Sequence, residues 1–249
     1  QMRLSARRRV WVGNSGKSGL NSFGHLLQVQ VHLEEMKPHL LLVMAGINDL
    51  NLCISGGRPA MRDNARLAAA PGYLAAYRRH VFERIDWSEE GLWQWQRLWQ
   101  RVRERIDPVA RSPEKPHVVQ DEAGSFYQEQ RRRRQVAQKV DKEPDIGECL
   151  AVFSDNLTRM ARMAREAQVP LRLLTQGSLY KAEISAEEEG LLWFGAVDGN
   201  FFGEKPVSDY YSARVMANLL GRFNAATLEV CRAEGISCFD VDHELPKDT

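Results

Sequence analysis

The chain of 249 residues has almost no charge imbalance: 34 Lys+Arg against 33 Asp+Glu, a net charge of +1. That balance excludes a strongly basic nucleic-acid binder and gives no general attraction to anionic lipid. Long apolar runs are also missing. The longest, Leu40 to Ile47, falls well short of the roughly 20 residues that span a bilayer, so no membrane span is expected. Cysteine is scarce, with only Cys53, Cys149, Cys231 and Cys238, and no CxxC pair occurs. Cys238 and His243 make one CxxxxH, but no second cysteine pair accompanies it, which argues against a zinc knuckle or a dense disulfide framework. Cys231 and Cys238 would pair in an exported protein; buried thiols are the expectation. No HExxH or other multi-ligand spacing is present, so neither a metal nor a cofactor is expected.

What the sequence does contain is an alternation of strand-like and helix-like segments. RVWV, Arg9 to Val12, reads as a short strand ending at Gly13. Ser22 is placed to cap a helix whose apolar residues Phe23, Leu26, Leu27 and Val31 recur at helical spacing, and Pro38 stops that pattern. LLLVMA, Leu40 to Ala45, is the continuous apolar run of a strand buried on both faces. Helical periodicity returns from Ile146 to about Gln168, and Pro170 precedes a third strand, Leu171 to Thr175. Ser185 caps a short helix, Ala186 to Trp193. A long helix from Asp209 to Glu234 ends at Gly235, and Ile236 to Val241 is a fourth strand. Strands linked by helices imply a parallel α/β sheet. The four strands Val10–Val12, Leu40–Met44, Leu171–Leu174 and Ser237–Asp240 are expected to be its parallel members.

The middle of the chain departs from this rhythm. Between Trp87 and Ile106 the residues Leu92, Trp95, Trp99, Val102 and Ile106 form one helical stripe, and Pro108, Pro113 and Pro116 follow. Residues 87–140 therefore read as a helical insert within a single domain, 1–249. Trp95 and Trp99 belong to the stripe and are expected to pack; Trp93 lies off it and is the better candidate for a lid or a substrate contact. Arg131 to Arg134 read as a solvated helical face.

Two motifs carry chemistry. VGNSGKSG, Val12 to Gly19, is a glycine-rich loop after a strand and invites a phosphate-loop reading through Lys17 and Ser18. The P-loop pattern is GxxxxGK[ST], and Trp11 stands where its first glycine belongs. AGINDL, Ala45 to Leu50, sits at the C-terminal edge of a buried strand, where open α/β sheets place ligands. Its Asn48 has an amide NH₂ to donate into a crevice; the alternative is an Asx-type turn at Asn48 and Asp49.

Together the two motifs resemble blocks of the SGNH (GDSL-type) hydrolase family. Asn14-Ser15-Gly16-Lys17-Ser18-Gly19 is similar to its NxGxxG block, and Gly46-Ile47-Asn48-Asp49 to its GxND block. The resemblance covers residues 8–50 and 145–249 and leaves the insert unexplained. It implies a flavodoxin-like three-layer α/β/α fold with a parallel sheet, and serine ester hydrolysis of an acyl or acetyl ester of a lipid or carbohydrate, without a metal. It further implies that Gly16 and Asn48 are the oxyanion-hole donors. The family's GDS nucleophile block has no counterpart among the few residues before Arg8, so the chain is expected to be an incomplete fragment, itself inactive. Ser15 is a substitute nucleophile only if Gly13-Asn14-Ser15 stands in for GDS. Asp240-Val241-Asp242-His243 matches DxxH, which makes Asp240 and His243 a candidate dyad; otherwise the base block lies past Thr249 and these are strand-end and turn residues. Among the other histidines, His25 is near the first loop, His32 and His39 flank a helix end, and His80 and His117 lie in or near the insert. The rival readings are a non-catalytic glycan- or protein-binding module on the same fold and a P-loop-like nucleotide binder.

Overall fold

The computed structural model describes residues 12–16, 19–55, 118–198 and 208–247. In chain order the elements are α1 (Ser22–Glu35), β1 (Leu41–Met44), α2 (Ile47–Ile54), α3 (Val118–Val136), β2 (Gln138–Val140), α4 (Gly147–Glu166), β3 (Leu171–Leu174), α5 (Ala186–Leu191), β4 (Asp209–Tyr211), α6 (Ala213–Glu234), β5 (Ser237–Phe239) and α7 (Val241–Glu244). The chain is thus mixed α/β, and its named strands pair in parallel in two open sheets. β1, β3 and β5 form the first, in the order β1-β3-β5. β2 and β4 form the second, which the sequence did not announce.

Three of the four expected strands are therefore parallel members of one sheet. Val10 and Trp11 lie outside the described residues. Val12 is in no strand and is largely exposed, because among the described residues nothing pairs with β1 on its outer side. The expectation that the β1 run is buried on both faces also needs correction. Val43, Leu171 and Leu173 face the core, with Cys238 packed beside them. Leu42, Met44 and Phe239 point the opposite way, and Leu42 is 62% exposed. The reason is that α4 and α6 pack on each other and on β3, and so cover a single face. Phe153 of α4 and Phe223 of α6 meet edge to face at 5.0 Å in the middle of this core, both fully buried.

Local chemistry sets the element ends. Asn21, not Ser22, caps α1: its Oδ1 accepts from Gly24 N at 3.1 Å, because the Ser22 hydroxyl is taken by Asp49. Ser185 and Glu188 make a reciprocal capping box on α5, which ends at Leu191 rather than Trp193. The long C-terminal helix starts later than its pattern suggests. Asp209–Tyr211 pairs with Gln138–Val140 as β4, and Ser212 then caps α6 by accepting from Val215 N. Gly235, at φ 63°, ends that helix in the left-handed conformation.

Two further corrections concern side chains. The cysteines are not thiols. Cys53 of α2 is bonded to Cys149 of α4, and Cys231 of α6 to Cys238 of β5. Folding brings their Cα atoms to 6.1 and 6.0 Å, a proximity that linear spacing does not reveal. Cys238 is therefore no metal ligand with His243, and no group of three or more His, Cys, Asp or Glu is placed to hold a metal among the described residues. The Arg131–Arg134 run is not a uniformly solvated face. Arg132 is exposed, whereas Arg134 is fully buried and donates to the Phe194 and Tyr211 carbonyls at 2.8 and 3.0 Å. The part of the 87–140 insert that is described, 118–140, is fastened to the rest of the chain by that arginine and by the β2–β4 pair. No helix among the described residues is long and apolar enough to cross a membrane.

Candidate functional site

The C-terminal ends of β1, β3 and β5 lie along one edge of the sheet. There the chain leaves β1 through Gly46, whose φ of 134° is open to glycine but strained for other residues. Gly46 accepts the first α2 hydrogen bond from Leu50 N at 2.8 Å. The turn places Asn48 and Asp49 in the first turn of α2, aimed in different directions. A crevice of about 210 Å³ opens at this point, lined by Gly16, Leu20, His25, Met44, Ala45, Gly46, Ile47, Asn48 and Gln176. Gly16 and Asn48, 32 residues apart in sequence, share its wall.

The donors are held as follows. Asn48 Nδ2 donates one hydrogen to the Leu20 carbonyl at 2.8 Å; the amide carries a second hydrogen. Gly16 N–H donates to Asn14 Oδ1 at 2.9 Å, so it serves an incoming oxyanion only by exchanging that acceptor. Among the described residues of the lining, His25 is the one titratable side chain. Burial holds its imidazole below the ordinary value, opposed by a hydrogen bond with Gln28, so it is neutral at pH 7 with one ring nitrogen already engaged. Gln176, just past β3, is fixed by Asn224 of α6. Gln176 N donates to Asn224 Oδ1 at 2.8 Å, and Asn224 Nδ2 donates back to the Gln176 carbonyl at 3.1 Å. No local motif marks Gln176; its place directly after the third strand, on the ligand edge of an α/β sheet, is the available signal.

The remaining candidates are elsewhere. Ser15 is exposed and not in the lining; its carbonyl accepts from Gln28 Nε2 at 3.0 Å. Asp240 is on the same sheet edge, but its Oδ1 accepts from Thr175 Oγ1 at 2.8 Å and from the backbone N–H of His243 at 3.4 Å. The His243 imidazole is 81% exposed and lies 3.7 Å from Glu244 Oε1. Asp240 and His243 are thus a helix cap and a solvated side chain here, not a carboxylate–imidazole dyad. Lys17 and Ser18, which the phosphate-loop reading needs, lie outside the described residues, as do Trp87, Trp93, Trp95 and Trp99. Among the described residues no serine lines the crevice.

Behind the lining, Asp49 is fully buried. Its Oδ1 and Oδ2 lie 3.0 and 2.9 Å from Ser22 N, and Ser22 Oγ donates to Oδ1 at 2.5 Å. Asn156 Nδ2 of α4 donates to the same Ser22 oxygen at 3.0 Å. Burial pushes the Asp49 carboxyl up to about 6, against the Ser22 hydrogen bonds that favour its charged form. Models of known protein families, curated proteins and solved structures were all compared with this chain, and none matches it.

Proposed function

We propose that this chain carries the oxyanion half of an ester-hydrolase site of the SGNH (GDSL) type, on a sheet of the flavodoxin-like three-layer kind. The substrate would be an acyl or acetyl ester of a lipid or a carbohydrate. The observation that supports the reading is that the glycine of NxGxxG and the asparagine of GxND line one small crevice at the C-terminal edge of a parallel sheet. Acyl transfer builds negative charge on a single carbonyl oxygen. Donors from two separate segments must reach that oxygen, each at about 3 Å. A volume of about 210 Å³ suits a short acyl group better than a drug-sized ligand. In this reading Asn48 donates its second amide hydrogen to the oxyanion, Gly16 N–H turns from Asn14 to join it, and neutral His25 and Gln176 line the approach.

A second reading has its own observation. With no serine in the described lining and the His243 ring in solvent, the crevice also suits a binding module that holds a carbonyl or carboxylate ligand without turning it over. Short acyl p-nitrophenyl esters separate the two. The full-length protein should hydrolyse p-nitrophenyl acetate or butyrate. Asn48→Ala should then lower kcat by about 10²–10³ with little change in KM. Ester turnover absent at every chain length, or turnover indifferent to Asn48→Ala, removes the hydrolase reading and leaves the binding module.

A further inference from the structure

The crevice depends on a residue that does not touch it. Leu20 lines the crevice across from the start of α2, and two consecutive α2 residues grip the segment 20–22. Asn48 holds the Leu20 carbonyl, while Asp49 holds the backbone and hydroxyl of Ser22. We propose that Asp49 is the positioning residue of the crevice, its carboxylate clasping Ser22 so that the Leu20 carbonyl stays where it orients the Asn48 amide. This rests on the reading above for the importance of Asn48, but the clasp can be tested without it.

The physical case is the cost of the arrangement. A carboxylate is rarely fully buried without a cation. Burial dominates the rise of the Asp49 carboxyl, and among the described residues its counterweights are hydrogen bonds from Ser22 and from its own backbone. Among the described residues, the elements packed around α2 place no charged partner on Asp49. α4 presents Asn156, a neutral amide, and its charged neighbour Asp155 is exposed; on α6, Arg222 is exposed. The titratable group that α1 brings near is His25, one turn beyond Ser22, itself held neutral by burial. A purely packing role needs no charge at such a position. An ionised carboxylate, by contrast, accepts from the N–H and the O–H of one residue at once, which neither an apolar side chain nor an amide of fixed polarity does equally well.

The clasp should therefore loosen when Asp49 takes up a proton. In ¹⁵N-labelled protein the Asn48 side-chain NH₂ and the Ser22 backbone amide should titrate together, with a midpoint near pH 6, and the step should vanish in Asp49→Asn. Ser22→Ala removes the hydroxyl donor but keeps the N–H, so it should move the midpoint up, by roughly one unit. It serves as the test if Asp49→Asn does not fold. His25→Gln should leave the step in place. Flat Asn48 and Ser22 signals between pH 5 and 7, a step that survives Asp49→Asn, or a midpoint unmoved in Ser22→Ala would each overturn the proposal. None of these readouts uses ester turnover. A failed clasp and a failed hydrolase reading thus give different results: the first shows in the amide titrations, the second in the p-nitrophenyl assay.

Discussion

Arg134 offers the sharpest test of how residues 118–140 are joined to the rest of the chain. Its guanidinium is fully buried. Nη1 donates to the Phe194 and Tyr211 carbonyls, Nη2 lies 3.1 Å from Glu189 Oε1, and the cation sits 5.7 Å from the ring centres of both Tyr180 and Tyr210. Arg134→Met keeps most of the side-chain volume and removes the charge. Two carbonyls lose their donor, each at a cost of about 1–3 kcal/mol if water does not replace it. Glu189 is one-quarter exposed, so it resolvates and adds little. The total should be about 3–5 kcal/mol, the range for breaking one side of a buried pair. Urea denaturation followed by circular dichroism reads it directly. Glu189→Gln in the native background leaves the buried cation without its countercharge, at about 1–2 kcal/mol. In the Arg134→Met background the same change should cost almost nothing, so the double-mutant cycle should show coupling of about that size. A loss below 1 kcal/mol for Arg134→Met, or strict additivity of the two substitutions, would refute this account of the junction.

Two more expectations follow from backbone and covalent geometry. Gly46→Ala has space for its Cβ, the nearest outside atom being Phe223 Cβ at 3.7 Å, but φ is 134°; it should cost about 1–3 kcal/mol of torsional strain, and an unchanged urea midpoint would contradict the described turn. The disulfides close loops of very different length, with sequence separations of 96 and 7. Chain entropy therefore predicts that removing the Cys53–Cys149 pair costs about 4–5 kcal/mol and the Cys231–Cys238 pair about 2–3 kcal/mol. Thermal melts of the two double Cys→Ala variants should fall in that order.

Which of these features the sequence exposes depends on whether the signal is local. β1 and its GxND turn were readable because a continuous apolar run ends at a glycine, and nothing distant is needed to interpret that. β3, β5 and the cap at Gly235 were readable for the same reason. β4 was not: Asp209–Tyr211 is only three residues long and runs straight into a helix, so the helical period absorbs it until β2 is seen to pair with it. Arg134 was hidden in a run of four arginines. Among the described side chains of α3, only Gln130, four residues earlier, is also buried, and one polar residue four positions from another is no signal by itself. The cysteine pairs and Gln176 depend on contacts between segments far apart in sequence, which composition and spacing do not encode.

The GxND spacing has a physical logic that the structure makes explicit. A crevice wall and its support must both come from the few residues that leave the end of β1. Successive residues of an α-helix point about 100° apart, so adjacent positions at a helix start face different surroundings. Gly46 adopts a φ that other residues resist and turns the chain from strand to helix within one residue. Ile47 and Asn48 then fall on the crevice side, and Asp49 on the core side. Had the helix begun one residue later, the carboxylate would take the place of the amide at the crevice, and Leu50 would take the place of the carboxylate against Ser22. A carboxylate there would repel the negative charge that the crevice is proposed to stabilise, and an apolar side chain against Ser22 could accept from neither of its donors. Exchanging the two side chains, Asn48→Asp with Asp49→Asn, keeps composition and volume nearly constant and isolates that logic. The exchange should abolish the pH-dependent clasp. In the hydrolase reading it should also lower turnover at least as far as Asn48→Ala does, since it removes a donor and adds a like charge.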